Sequence, residues 1–178
     1  MVELEVRDIM SRVSGNMVFA VILKEKEGNR VLPVMVGLLE AQAISAAMKG
    51  ISLPRPSIYD LYLTSSRSFD AYLQGVRIYK IQGGIFYSYL VFEKDGGTMM
   101  IDSRTSDAIA LALRAGVPLF IEDELIDRYS AQEERTGSFS MPIATVDAET
   151  LRAALANAIE TENYELAAQL RDELSKRK

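Results

Sequence analysis

One short stretch of the chain, residues 101–107, crowds charged and hydroxyl side chains into the point where a strand is predicted to become a helix. Residues 98–101 have the character of a strand, and the apolar residues 108–115 predict a largely buried helix. The N-terminus of such a helix offers free backbone N–H groups and the positive end of its dipole, which together can hold a phosphate. Arg104 could add a bidentate contact, so the stretch predicts an anion site.

The same residue types are also those that any helix prefers at its start. Ser106 is a suitable N-cap, and Asp107 would complement the helix dipole in the first turn. Capping alone therefore explains the stretch as well as a functional site does, and both interpretations stay open.

Two further carboxylates lie at predicted helix starts. Glu40 lies in the first turn of an alanine-rich helix over residues 38–48, and Asp60 follows Ser57 at the spacing of a capping box. Each is either a structural carboxylate at a helix start or part of a site that gathers several of them.

Composition restricts the chemistry that these side chains could perform. The 178 residues include neither cysteine nor histidine, which excludes thiol nucleophiles, imidazole or thiolate zinc sites and histidine acid–base pairs. Any catalysis must therefore use carboxylates, hydroxyls, lysine or arginine.

Charge and hydropathy restrict the partners. The net charge is −5, which argues against strong nonspecific binding to nucleic acid, so such contact must be local, weak or assisted by metal ions. No apolar run is long enough to span a bilayer, so we expect no membrane contact and a soluble, cytoplasmic protein.

The pattern along residues 1–127 predicts an α+β domain with a mixed, mostly antiparallel sheet and packed helices. Alternating apolar residues predict two meanders, separated by two helices and followed by a helix over 107–115 and a short strand. The predicted strands cover 2–6, 18–24, 30–36, 76–82, 85–93, 98–102 and 117–121. Five aromatic residues in the second meander could stack bases but are also typical of sheet packing, namely Tyr79, Phe86, Tyr87, Tyr89 and Phe92.

The remainder of the chain is predicted to be an exposed linker over 128–147 and a helical hairpin over 148–178. Asp147 can cap the first helix, and Glu162 and Asn163 form the turn between the two. Two such short helices bury too little surface to be stable alone. We therefore expect the hairpin to pack on the domain, on another subunit or on a protein partner.

Several motifs in succession resemble the bifunctional nuclease domain family over roughly residues 1–127. The tail resembles the UVR motif, a helical hairpin of excision-repair nuclease subunits, through residues 163–174. The motifs of the domain are Val31–Gly37 with Glu40 and Ala41, Arg55 and Pro56 with Asp60 and Leu61, Asp102–Ala112, and Val117 with Pro118.

This resemblance implies a mixed sheet-and-helix domain with nuclease activity on DNA, RNA or both, and a tail that mediates protein association. It also identifies one departure, because the family usually has a histidine where this chain has Tyr59. A tyrosine can donate a hydrogen bond there but is a poor base at neutral pH.

With that resemblance, the leading hypothesis is a phosphodiesterase in which carboxylates hold Mg2+ or Mn2+. Two ions would need at least three carboxylates in one cleft. The predicted catalytic residues are Glu40, Asp60 and Asp107, the predicted metal ligands are these three with Asp102, and the predicted substrate-binding residues are Arg55, Arg104 and Ser106. The alternative is a noncatalytic adaptor that binds an anion or a protein, and in either case we expect a homo-oligomer, by default a dimer.

Overall fold

Two antiparallel meanders form most of the sheet, as the alternation of apolar and polar residues predicts. The computed structural model describes residues 1–14, 16–133 and 142–177. The first meander consists of β1 (Val2–Ser14), β2 (Asn16–Glu25) and β3 (Arg30–Val36), and the second of β4 (Tyr72–Gln82), β5 (Ile85–Lys94) and β6 (Gly97–Arg104).

A short strand, β7 (Leu119–Ile121), joins the two meanders into one sheet, since it runs antiparallel to β1 and parallel to β4. At one edge of the sheet, β8 (Ala131–Gln132) pairs with β3, and β6 forms the opposite edge. The described residues thus form an eight-stranded sheet in the order β6-β5-β4-β7-β1-β2-β3-β8. Its single parallel pair among antiparallel ones confirms the predicted α+β class with a mixed, mostly antiparallel sheet.

In the described part of the domain, four helices each contribute buried apolar residues to the core that lies on this sheet. They are α1 (Leu38–Met48), α2 (Ile58–Ser68), α3 (Thr105–Ala115) and α4 (Asp123–Tyr129). The central helix is α3, whose residues 108–112 are all buried in the main core and which contacts both α1 and α2. None of the helices in the described ranges is long and apolar enough to cross a membrane.

The start of α3 differs from the sequence prediction. The helix begins at Thr105, and its N-cap is Arg104, so the expectation that Ser106 caps it was wrong. The cause is a buried hydrogen bond of 2.6 Å between the hydroxyls of Thr105 and Ser88. It ties the end of β6 to β5, and the chain turns directly into the helix there.

Replacing Thr105 by valine should destabilise the domain, because it leaves the fully buried Ser88 hydroxyl without this partner. The expected loss is about 1–3 kcal/mol of unfolding free energy, measured by urea denaturation. A double variant with Ser88→Ala removes both polar groups and should recover much of that loss. If the double variant loses as much unfolding free energy as Thr105→Val and Ser88→Ala lose together as single variants, the hydrogen bond does not hold this junction.

The chain beyond α4 contains structure within the predicted linker of 128–147. Residues Ala131–Gln132 form β8, and a 3-10 turn at Ile143–Thr145 leads to the buried Thr145 and Val146. The middle of that linker, 134–141, lies outside the described residues. The boundaries of the domain, linker and hairpin stay predictions.

The C-terminal hairpin consists of α5 (Ala148–Glu160) and α6 (Tyr164–Ser175), capped by Asp147 and Asn163 as the sequence predicts. The two helices pack through a small core of their own. Ile159 and Leu166 are exposed, since Ala158 and Ala167 occupy the contact between the helices. The buried members of this core are Val146, Leu151, Ala158, Ala167 and Leu170.

Arg177, which follows α6, links the hairpin to the domain. Its guanidinium donates hydrogen bonds to the carbonyl oxygens of Gly83, Ile143 and Val146. Gly83 lies in the turn between β4 and β5, and the neighbouring Gly84 lies directly against the backbone of Val146. The hairpin is therefore docked on the β4–β5 turn.

Candidate functional site

The centre of the candidate site is Arg104, whose guanidinium contacts two carboxylates. Its Nε donates to Asp107 Oδ2 at 2.7 Å, Nη2 donates to Asp107 Oδ1 at 3.2 Å, and Nη1 donates to Glu40 Oε1 at 3.1 Å. The carboxylates are mostly buried, while 68% of the arginine side chain is exposed. The hydrogen bond to Asp107, above all, raises the pKa of the guanidinium. Arg104 is thus a cation of fixed orientation that is open to solvent.

The fold brings these residues together from distant parts of the sheet. Glu40 follows β3 and Arg104 ends β6, and five strands lie between β3 and β6 in the sheet. Contact is possible because α1 follows β3, α3 follows β6, and the two helices pack against each other. Glu40 and Asp107 are each the third residue of their helix, so each is stabilised by the positive end of the helix dipole.

A third helix start contributes Tyr59, the second residue of α2. Its hydroxyl donates to Asp107 Oδ1 at 3.0 Å. Burial in the first place, and then the Asp107 carboxylate, raise the pKa of this hydroxyl to about 12. Tyr59 therefore keeps its proton at neutral pH and acts as a donor, which fixes one oxygen of Asp107. We call Glu40, Tyr59, Arg104 and Asp107 the Arg104 cluster.

Asp60 lies outside the Arg104 cluster, although it is adjacent to Tyr59. One of its oxygens accepts from the backbone N–H and hydroxyl of Ser57, at 2.9 and 2.6 Å, and this completes a capping box. The other oxygen is 3.5 Å from Nη1 of Arg114. The Ser57 groups hold the pKa of the Asp60 carboxyl below its usual value. Its observed contacts are those of a helix cap.

Asp102 is directed to a group of tyrosines. Its Oδ1 accepts from the Tyr79 hydroxyl at 3.0 Å, and its Cα lies opposite that of Tyr89 in the β5–β6 register. Arg55 is exposed between α1 and α2, and Ser106 is the second residue of α3. Neither of these two hydrogen-bonds to the Arg104 cluster in the described part of the chain.

The four predicted metal ligands do not gather around one point. Among the residues that the structure describes, no three acidic side chains lie close enough together to hold a metal ion. Glu40 and Asp107 do share a single cation, the Arg104 guanidinium. Two carboxylates fit one hard ion that takes its other ligands from water and phosphate, but they do not fit a two-ion centre.

Sequence reasoning did not identify the pairing of Glu40 with Arg104, or Asp107 as the acceptor of the Tyr59 hydroxyl. The first pair is 64 residues apart and carries no local signal. The resemblance indicated Tyr59 as a possible donor, but its acceptor lies 48 residues further along the chain.

Comparison with known proteins gives two matches along the chain. A bifunctional nuclease domain model matches residues 21–134, and a UvrB/uvrC motif matches residues 148–177. Both resemblances seen in the sequence are thereby confirmed, and the first match includes the whole Arg104 cluster.

Individual proteins are also similar to parts of this chain. An uncharacterized protein of Mycobacterium tuberculosis strain H37Rv is 36% identical over 105 residues, which cover 59% of this chain and 62% of that protein. Bifunctional nuclease 1 of Oryza sativa subsp. indica is 32% identical over 104 residues, covering 56% and 31%. Bifunctional nuclease 1 of Arabidopsis thaliana is 24% identical over 178 residues, covering 87% and 55%. In each case the match spans less than two thirds of the relative.

Proposed function

The chain belongs to the bifunctional nuclease domain family, and on that premise we propose that it hydrolyses phosphodiester bonds of nucleic acid at the Arg104 cluster. The observation that supports this proposal most directly is the exposed guanidinium of Arg104, fixed by Glu40 and Asp107. A planar guanidinium of fixed orientation can bind a phosphate group bidentately. Such a group also stabilises the charge that develops on the phosphate during hydrolysis.

The other residues of the Arg104 cluster have distinct roles in this proposal. Asp107 orients Arg104 through two hydrogen bonds, and Tyr59 holds Asp107 by donating to it. Glu40 is the carboxylate that can accept a proton from the attacking water, since it is partly accessible and bonds Arg104 through only one oxygen. Asp60 and Asp102 have no part in the reaction and serve structure.

A single divalent ion, Mg2+ or Mn2+, belongs to the proposal, and Glu40 and Asp107 are the carboxylates that would hold it. Such an ion would neutralise phosphate charge and lower the pKa of a bound water.

The adaptor hypothesis remains the second candidate, and one observation favours it. The charge of Arg104 is already balanced by two carboxylates, as in a purely structural ion-pair network. In this view the Arg104 cluster binds an anion without cleaving it. We propose for both candidates that the hairpin contacts a protein partner through its exposed apolar residues, which include Ile159 and Tyr164, and that the chain forms homo-oligomers.

Arg104→Lys should test the nuclease proposal without removing the positive charge. A lysine ammonium cannot bridge two carboxylates and bind a phosphate bidentately, so we expect hydrolysis of single-stranded DNA or RNA to slow by about tenfold. The rate is measured under single turnover after chelation of metals, with Mg2+ or Mn2+ then added back. The matched control is Arg152→Lys on the exposed side of α5, which should leave the rate unchanged.

Two results would contradict this assignment. An unchanged rate in Arg104→Lys would remove Arg104 from substrate binding. Undiminished hydrolysis by the unaltered protein in the presence of the chelator would exclude a divalent ion from the reaction. The role of Arg104 would then still be tested by Arg104→Lys.

A further inference from the structure

The second meander contains a β-bulge in β4, which β5 separates from the strand that ends at Arg104. In the β4–β5 pair, Ile78 lies opposite Ser88 and Lys80 lies opposite Tyr87, so Tyr79 is an extra residue on β4. The bulge places both Tyr79 and Lys80 outside the core, while Ile78 and Ile81 on either side stay buried. Bulges often redirect side chains beside functional sites.

Three tyrosines share the surface that the bulge creates. The rings of Tyr79 and Tyr89 are stacked with centroids 4.0 Å apart, and those of Tyr79 and Tyr87 are tilted with centroids 6.2 Å apart. Lys80 adds a cation, since its Nζ lies 5.0 Å from the centroid of the Tyr87 ring. We call Tyr79, Tyr87 and Tyr89 the tyrosine face.

The tyrosine face is distinct from the core. Along β5, Phe86, Ser88, Leu90 and Phe92 are buried, and Tyr87 and Tyr89, which alternate with them, are partly exposed. The five aromatic residues that the sequence groups together therefore divide into two buried phenylalanines and three accessible tyrosines. Only the latter can meet a ligand.

The tyrosine face lies beside the proposed phosphate-binding residue. In the β5–β6 register, Tyr87 is directly opposite Arg104, and such neighbours have Cα atoms about 5 Å apart. A nucleotide whose phosphate contacts Arg104 therefore has an aromatic surface within the reach of its base. Lys80 supplies a positive charge over Tyr87, Asp102 a negative one beside Tyr79, and Arg104 a second positive charge at the end of β6.

We propose that the tyrosine face binds unpaired bases of a single-stranded nucleic acid whose backbone passes Arg104 and Lys80. The proposal rests on the nuclease function, of which this strand is the substrate. Tyrosine rings stack on any base, because every base presents a π face, but the bases of a duplex are already stacked on one another. The tyrosine face therefore selects single strands with little sequence preference.

Binding can be measured apart from cleavage by keeping divalent ions chelated. The probes are a short fluorescent oligodeoxythymidine, the same strand with abasic sites, and a duplex of equal length, each titrated with the full chain and followed by anisotropy. The chain has no tryptophan, so its intrinsic fluorescence comes from tyrosine, and stacked bases should quench it. We expect the single strand to bind at least tenfold more tightly than the abasic strand or the duplex.

The decisive variant is Tyr87→Thr, which keeps a residue suited to a strand. Its affinity for the single strand should fall about tenfold, with little change for the abasic strand, whereas Tyr87→Phe should bind like the unaltered protein. The matched control is Tyr72→Thr, an exposed tyrosine of the neighbouring strand β4, at the end of the β4–β5 pair that is far from Tyr87. If Tyr87→Thr does not fold, Lys80→Gln and the quenching of tyrosine emission provide the test.

The outcomes separate this proposal from the nuclease function. Equal affinity of Tyr87→Thr and the unaltered protein for the single strand, tighter binding to the duplex, or no quenching overturns the tyrosine face. Each of these results is compatible with cleavage, which the Arg104 variant tests independently. If the chain binds single strands with quenching of its tyrosine emission but never cleaves them, the proposal for the tyrosine face holds and the nuclease proposal is wrong.

Discussion

Replacing Asp107 by asparagine should lower the turnover of nucleic acid by about 100-fold. The carboxylate makes both of the hydrogen bonds that orient Nε and Nη2 of Arg104, and it accepts the hydroxyl of Tyr59. An amide keeps the size of the side chain but not its charge. It can present only one oxygen to these three donors, so the guanidinium loses its fixed orientation. The measurement is the single-turnover rate with saturating substrate.

The chain offers a matched control for this loss in Asp60→Asn. Both aspartates are the third residue of a helix and both belong to the predicted catalytic set, but Asp60 caps α2 and lies outside the Arg104 cluster. We expect Asp60→Asn to cost about 1 kcal/mol of unfolding free energy and to leave the rate within about threefold. The stabilisation by Asp60 depends on its carboxylate. It is present above the ordinary aspartate pKa and is lost as the pH falls through the lowered value in the folded protein.

The pair of variants also separates the two candidate functions. A nuclease loses turnover in Asp107→Asn and keeps it in Asp60→Asn. A docking protein keeps its partners in both variants and shows no turnover that could be lost. Equal losses of turnover in the two variants would contradict the separation of Asp60 from the Arg104 cluster.

Local patterns predicted those parts of the fold that depend on neighbouring residues. The Ser57 capping box, the N-cap at Asp147 and the turn before α6 were all found from a few adjacent residues, because capping is decided within one helical turn. The meanders followed from alternation, since one face of each strand is buried. The identity of the family was found in the same way, from motifs that lie in order along the chain.

The site depends on contacts between distant segments, which single-sequence patterns do not contain. Glu40, Asp60 and Asp107 are equivalent as first-turn carboxylates, and only the packing of α1 on α3 shows that the first and last share Arg104. The bulge at Tyr79 was missed for the same reason, because a one-residue shift between β4 and β5 has no signature in β4 alone. Alternation along β5 separates Tyr87 and Tyr89 from the buried residues, but it does not predict that Tyr79 and Lys80, which are neighbours in β4, both lie outside the core.

Gly84→Ala should separate the C-terminal hairpin from the domain. Gly84 has a φ of +82°, and a Cβ there would lie 2.6 Å from the carbonyl carbon of Val146 and 2.8 Å from the backbone nitrogen of Asp147. These are backbone atoms that cannot rotate away. Because Val146 leads into α5 and its carbonyl also accepts from Arg177, the hairpin must move with it. Amide hydrogen exchange of residues 148–177 should become about 10- to 100-fold faster.

Gly83→Ala is the control for this variant, because it shares the backbone conformation but not the contact. Gly83 has a φ of +61°, and a Cβ there would meet open space, so the cost is only the left-handed conformation, about 1–2 kcal/mol. The overlap at Gly84 should add about 1–3 kcal/mol to that cost. Since the Arg104 cluster includes no residue of the hairpin, neither variant should change turnover. If the hairpin amides exchange at the same rate in both variants, the contact between Gly84 and Val146 does not hold the hairpin. If Gly84→Ala also abolishes turnover, the hairpin takes part in the reaction, which the contacts of the Arg104 cluster do not predict.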